Sequence, residues 1–237
     1  MYMEFGIHKK TGPLFSKRQR RRINKSNFMP LQIGAIEDTQ NKSLPFILEP
    51  LMSKNDKIMF YKYLDKSSVY FEYGSGGSTY QASIRNNIKK IYSVESDISW
   101  QNKLKHNLNN TNITYIFNDI QSLPNTWGIP GKNATDIQKQ NYSNKIRNLS
   151  KEDKDTINLI LIDGRFRVAC CLKCYDIIKD DCLIAFDDFL NRKYYHTVLD
   201  YFDIVEKTID NRMVILKKKI NTSIPINIIE KYALVHD

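Results

Sequence analysis

Three carboxylates stand at or just past the ends of three apolar runs. Glu72 lies near the end of VYFEY, Glu95 ends IYSVE, and Asp119 follows ITYIF. After the first run comes the glycine-rich turn Gly74-Ser75-Gly76-Gly77-Ser78-Thr79. Glycines at such a turn let a ligand approach the backbone and let the next helix pack closely. A phosphate cradle of the P-loop kind requires a lysine before its Ser/Thr, and none is present here. The dinucleotide pattern G-x-G-x-x-G is met at Gly74 and Gly76, with Thr79 in place of the third glycine. Glu72 would sit badly beside a pyrophosphate and well beside a cationic group. Glu95, about 20 residues beyond the turn, suits both hydroxyls of a ribose. Asp119 suits an adenine amino group. Glu72, Gly74, Ser75, Gly76, Ser78, Thr79, Glu95 and Asp119 together favour an adenosyl ligand without phosphate, such as S-adenosyl-L-methionine. Each acid alone has a plainer reading: a helix cap for Glu72, a surface acid for Glu95, a turn residue for Asp119.

A second constellation follows the later apolar runs. Asp163, Arg165 and Arg167 fall in IDGRFRVACC, and Asp187 and Asp188 close CLIAFDD. Arginines suit bidentate recognition of an anionic or polyhydroxylated molecule, or else pair with one of these acids and order the site. His196 is a candidate base because imidazole titrates near neutrality, and is equally readable as an exposed helix residue. Cys171 and Cys174 form a C-x-x-C with Cys170 and Cys182 nearby. A zinc site would show a second ligand pair, so these four read as buried packing residues.

The elements that must position these groups alternate. From Ser68, strands are expected at VYFEY, IYSVE, ITYIF, INLILID and CLIAFDD, with helices after the glycine turn, after Asp97, over Val168 to Ile178 and around Tyr194 to Tyr201. Strand and helix in turn imply an α/β fold: a Rossmann-like, doubly wound, mostly parallel sheet. FDIVEKTI and RMVILKKK, joined at Asp210-Asn211, add a C-terminal antiparallel hairpin. The expected divisions are a basic, weakly ordered arm over 1–41, a helical lead-in over 42–67, the main domain over 68–219 with an insertion at 120–155, and a tail over 220–237. An insertion of that length, carrying Trp127 and Tyr142, is read as a lid over substrate or a plain surface loop.

The chain has 237 residues, 41% of them hydrophobic, which is enough for one such domain with a sizeable core. The formal net charge is +10, and much of the excess lies in SKRQRRRINK, Ser16 to Lys25. That arm suits nucleic acid, an anionic lipid surface or an acidic partner, or is a solvated N-terminus. No apolar stretch is long enough to span a bilayer, no signal peptide is read, and clustered cysteines fit a reducing compartment, so a cytoplasmic location is expected.

Over about Ser68 to Lys219 the chain resembles the class I S-adenosylmethionine-dependent methyltransferases. EYGSGGST, SVESD and IDGRFRVACC resemble a group of methyltransferase-like proteins in which a WG-x-P loop recurs, present here as Trp127-Gly128-Ile129-Pro130. That group also carries a His-Asp-aromatic…Arg…Tyr stretch. Here it reads Phe186-Asp187-Asp188-Phe189 with Arg192 and Tyr195, so Asp187 stands in the histidine's place. The resemblance places Asp163 and Arg165 at the reacting end, and Trp127, Arg167, Arg192 and Tyr195 toward substrate. Asp163, Asp187 and Asp188 also resemble the acidic set of metal-dependent O-methyltransferases, which implies Mg²⁺ holding and acidifying a substrate hydroxyl. The expected activity is O-methylation of a small polyhydroxylated molecule such as a sugar. The alternatives are RNA methylation, with the Asp163-Gly164-Arg165-Phe166 stretch unlike the Pro-Pro-aromatic motif of base methylation, and a non-catalytic binding module.

Overall fold

The computed structural model describes residues 46–123, 126–210 and 212–236. The arm over 1–41, with its run of arginines, lies outside them. The apolar runs form β1 (Val69–Tyr73), β2 (Lys90–Glu95), β3 (Ile113–Phe117), β4 (Leu159–Ile162) and β5 (Leu183–Phe186), followed by β6 (Phe202–Lys207) and β7 (Val214–Lys218). They join in one sheet of order β3-β2-β1-β4-β5-β7-β6. β1 to β5 run parallel, while β7 is antiparallel to both β5 and β6. The expected C-terminal hairpin is therefore present, with its second strand inserted between β5 and β6. Asn211, in the expected connection, lies outside the described residues.

Strand order reverses at β1, which has β2 on one side and β4 on the other. Tyr73 is in register with Val94 and Ile162, and Ile162 with Phe186. Gly74, Glu95, Asp163 and Asp187 thus emerge along one sheet edge, the edge at which doubly wound sheets bind ligands.

Alternation within the buried strands divides the core. Phe71, Tyr73, Ile160, Ile162, Ile184 and Phe186 pack on one face with α6 (Arg167–Cys174). Tyr70, Leu159, Leu161, Ala185 and Ile215 pack on the other with α1 (Lys54–Leu64). Both faces are covered, as near-continuous apolar strands require. All four cysteines are free thiols buried in the first of these cores.

α1 begins at Lys54, later than the lead-in stretch suggested, because Ser53 and Asp56 form a capping box after Pro50. Asp56 also accepts from the backbone N–H of Met213 at 3.2 Å, tying α1 to the start of β7. α2 (Gly77–Ser83) follows the glycine turn, and Asp97 caps α3 (Ile98–Asn107) by accepting from the Ser99 and Trp100 amides. The insertion carries α4 (Asp136–Ser143), a 3₁₀ turn at Lys145–Asn148 and α5 (Lys151–Thr156). The expected helix around Tyr194 is a 3₁₀ helix, Lys193–Asp200. The tail holds α7 (Ile226–Tyr232), whose Ile229 enters the core beside α6. Among the described residues no helix is long and apolar enough to cross a membrane.

Candidate functional site

The turn after β1 is built from below by Glu72. Its carboxylate is completely buried and accepts from four hydroxyls: Tyr70 at 2.8 Å, Ser78 at 2.7 Å, Ser93 at 2.5 Å, and Thr79. Thr79 Oγ1 in turn accepts from the Gly76 N–H at 2.9 Å, so the acid holds the turn through a relay. Ser93 reaches Glu72 because the two residues are paired across β1 and β2. Burial raises the Glu72 pKa to about 7, against the opposing effect of the hydroxyls. Ser78 and Thr79, expected beside a ligand, thus direct their hydroxyls inward to Glu72. Ser75 shares a 2.6 Å hydrogen bond with Ser93, and its carbonyl accepts from Trp100 Nε1 at 2.9 Å.

The glycines differ in what surrounds them. Gly74 has φ +95°, and a Cβ there would lie 2.9 Å from the Gly164 backbone. At Gly77 it would lie 2.1 Å from Glu49 and Pro50 backbone, since the segment before α1 crosses the start of α2. At Gly76 it would meet nothing within 4 Å. Gly76 is thus the point where backbone borders open space.

Glu95 closes the second side. Its carboxylate accepts from the backbone amides of Ser75 at 3.1 Å, Ser96 at 2.6 Å and Asp97 at 2.9 Å. Burial raises its pKa, and these amides oppose the rise. Asp119 is exposed and occupied locally, accepting from the backbone and side-chain amides of Gln121. These local bonds agree with its plainer reading as a turn residue. Its neighbour Asn118, which the sequence pattern did not single out, is buried and donates to the Gln138 carbonyl at 2.9 Å.

The Trp127-Gly128 turn runs beside this site. A Cβ at Gly128 would lie 2.5 Å from Ser96 Oγ and 4.0 Å from Glu95 Oε1, and Arg165 Nε donates to the Trp127 carbonyl at 2.9 Å. The insertion therefore bridges the ends of β2 and β4, leaving Trp127 63% exposed in a left-handed conformation. Tyr142, read as part of the same lid, is instead a core residue. Its ring packs on Tyr73 and Phe166, with its hydroxyl against Gly164.

At the reacting end the acids meet arginines. Arg167 Nη2 lies 3.0 Å from Asp163 Oδ1, and Nη1 lies 3.7 Å from Asp188 Oδ2 and 3.9 Å from Asp187 Oδ2. Arg167 also donates to the carbonyls of Asp187 at 2.8 Å and Gly164 at 3.1 Å. Asp188, with φ +57°, is bridged by Arg192 at 3.0 Å and Arg212 at 2.6 Å. Burial, together with the charges of Asp163 and Asp188, raises the Asp187 pKa to about 8; burial also raises that of Asp163. The expected Mg²⁺ site does not fit this arrangement. Among the described residues no three His, Cys, Asp or Glu side chains converge as metal ligands, and guanidinium groups lie against these carboxylates instead.

The remaining candidate residues lie against neighbouring side chains. Arg167 is buried within the acid cluster. Tyr195 is fully buried against Phe186 and Phe189, and its hydroxyl accepts from Arg192 Nη1 at 2.9 Å. His196 stacks on Phe189 with centroids 5.2 Å apart, and its Nε2 is buried without a hydrogen-bond partner among the described residues. Asp163, 29% exposed, is the most open of the three acids.

No protein-family model matches the chain, and no curated protein does. Among solved structures, a methyltransferase-like protein from Silicibacter pomeroyi is 23% identical, with a TM-score of 0.65 over 79% of this chain and 97% of that one. An O-methyltransferase from Bacillus cereus in complex with SAH is 9% identical, with a TM-score of 0.49 over 72% of this chain and 83% of that one. The first likeness, together with the strand order, shows that the chain has the Rossmann-like, mostly parallel sheet of a methyltransferase-like protein with an antiparallel C-terminal pair.

Proposed function

We propose that this chain is an S-adenosylmethionine-dependent methyltransferase acting on a hydroxyl of a small polyhydroxylated molecule, such as a sugar, in the cytoplasm. The observation that carries the reading is the turn at the strand-order reversal, where Gly76 borders open space between the sites of Glu72 and Glu95 and no lysine offers a phosphate partner. The residues fit the ligand. Gly74 to Gly76 present backbone to the methionine portion, Glu72 supplies negative potential beneath it once ionised above about pH 7, and Glu95 accepts from ribose hydroxyls. S-adenosylmethionine supplies a methyl group on a sulfonium. The chain's part is then alignment and removal of one proton. Asp163 takes that proton, and Arg165 and Trp127 orient the acceptor. Calorimetry with S-adenosylmethionine and S-adenosylhomocysteine tests this: one-site binding is expected, and no binding of either at millimolar ligand contradicts it.

The basic stretch Ser16 to Lys25 supports a second reading, methylation of an RNA ribose. RNA binding that weakens with salt and disappears on deletion of residues 1–25 would favour it over a small acceptor.

A further inference from the structure

Three carboxylates meet where strands β4 and β5 end, and a cluster of this kind commonly holds a hard cation. Such an ion needs oxygen ligands at about 2.0–2.6 Å around one centre. Here the centre belongs to a side chain. The guanidinium of Arg167 is 8% exposed and lies within 4 Å of all three acids, at 3.0 Å from Asp163, 3.7 Å from Asp188 and 3.9 Å from Asp187. It also donates to carbonyls at both strand ends, Gly164 after β4 and Asp187 after β5. Asp188 is held from its other side by Arg192 and Arg212, and Arg212 also approaches Asp56 at 3.6 Å. Arg167, Arg192 and Arg212 thus supply the positive charge that faces these acids.

We infer that Arg167 is the resident cation of this cluster, standing where a divalent metal would otherwise sit and fixing Asp163 at the end of β4. Planarity makes the substitution effective, since one guanidinium bonds carbonyls and carboxylates of two strands at once. Arg167 is therefore a positioning residue, and this cluster offers an acceptor no bridging metal. The inference rests on the proposed function only for the role of this sheet edge; the cluster's occupancy can be measured separately.

The test is titration of the full chain with Mn²⁺, followed by electron paramagnetic resonance of the free ion, for wild type, Asp188→Asn and Arg167→Gln. The wild type is expected to show no saturable site at millimolar Mn²⁺, matching Asp188→Asn. Arg167→Gln is expected to bind at least roughly tenfold more tightly, because the acids lose their internal cation. Saturable wild-type binding that Asp188→Asn abolishes would overturn the inference, as would a folded Arg167→Gln that gains no binding. Should Arg167→Gln not fold, the comparison of wild type with Asp188→Asn decides alone. S-adenosylmethionine binding, measured on the same samples, reports on the proposed function and not on this cluster.

Discussion

Glu72 combines complete burial with four hydroxyl donors and no cation partner among the described residues. Sequence reasoning found the residue from its place before a glycine turn. The inward direction of Ser78 and Thr79 was not legible, because it depends on Ser93 arriving from the neighbouring strand. The raised pKa has a consequence for folding. Between pH 4.5, the ordinary value, and about 7, the folded chain keeps a proton on Glu72 that the unfolded chain has released. The stability from that proton is full below the unfolded value and is lost as pH rises through the folded one, about 3 kcal/mol in all. Glu72→Gln should flatten this part of the profile. Urea unfolding of both proteins across the window would show the difference, and parallel profiles would contradict it.

The β1–α2 turn and the end of β4 are locked by close approach at the scale of elements. Gly77→Ala places a methyl 2.1 Å from the Glu49–Pro50 backbone and should cost on the order of 2 kcal/mol or more. Gly76→Ala meets nothing within 4 Å, so it should leave thermal unfolding nearly unchanged while weakening S-adenosylmethionine binding roughly tenfold. Equal effects of the two substitutions on stability would refute the assignment of open space to Gly76. At Gly164 an added Cβ lies 2.1 Å from the Tyr142 hydroxyl and 2.9 Å from Tyr73 backbone. Gly164→Ala should be strongly destabilising, and Tyr142→Phe in the same chain should restore part of the loss. A double-mutant cycle with a coupling of about 1 kcal/mol or more is expected. The pairing was hidden in the sequence, since Tyr142 looked like a lid residue on a long insertion. Only the return of α4 against the sheet turns it into core.

At the scale of the whole molecule, the parallel strands were legible because each is a short apolar run bounded by turn residues, and their order follows from right-handed crossovers. The antiparallel pair was visible from its turn signal, but the insertion of β7 between β5 and β6 was not. Nor was α7, whose docking beside α6 comes from tertiary burial of Ile229 rather than a strong local pattern. Asp163, Asp187 and Asp188 were rightly expected near one another, since they follow neighbouring strands. Pairing of these acids with Arg167 or Arg192 was legible from their spacing, whereas Arg212 was not, because it comes from the distant start of β7. The central claim is that the edge of this sheet holds an adenosyl ligand at the glycine turn. Titration calorimetry of the full chain with S-adenosylhomocysteine tests it most directly. One saturable site, weakened by Gly76→Ala and by Glu95→Gln, is the predicted result; no heat of binding at millimolar ligand, from a chain shown to be folded, would contradict it.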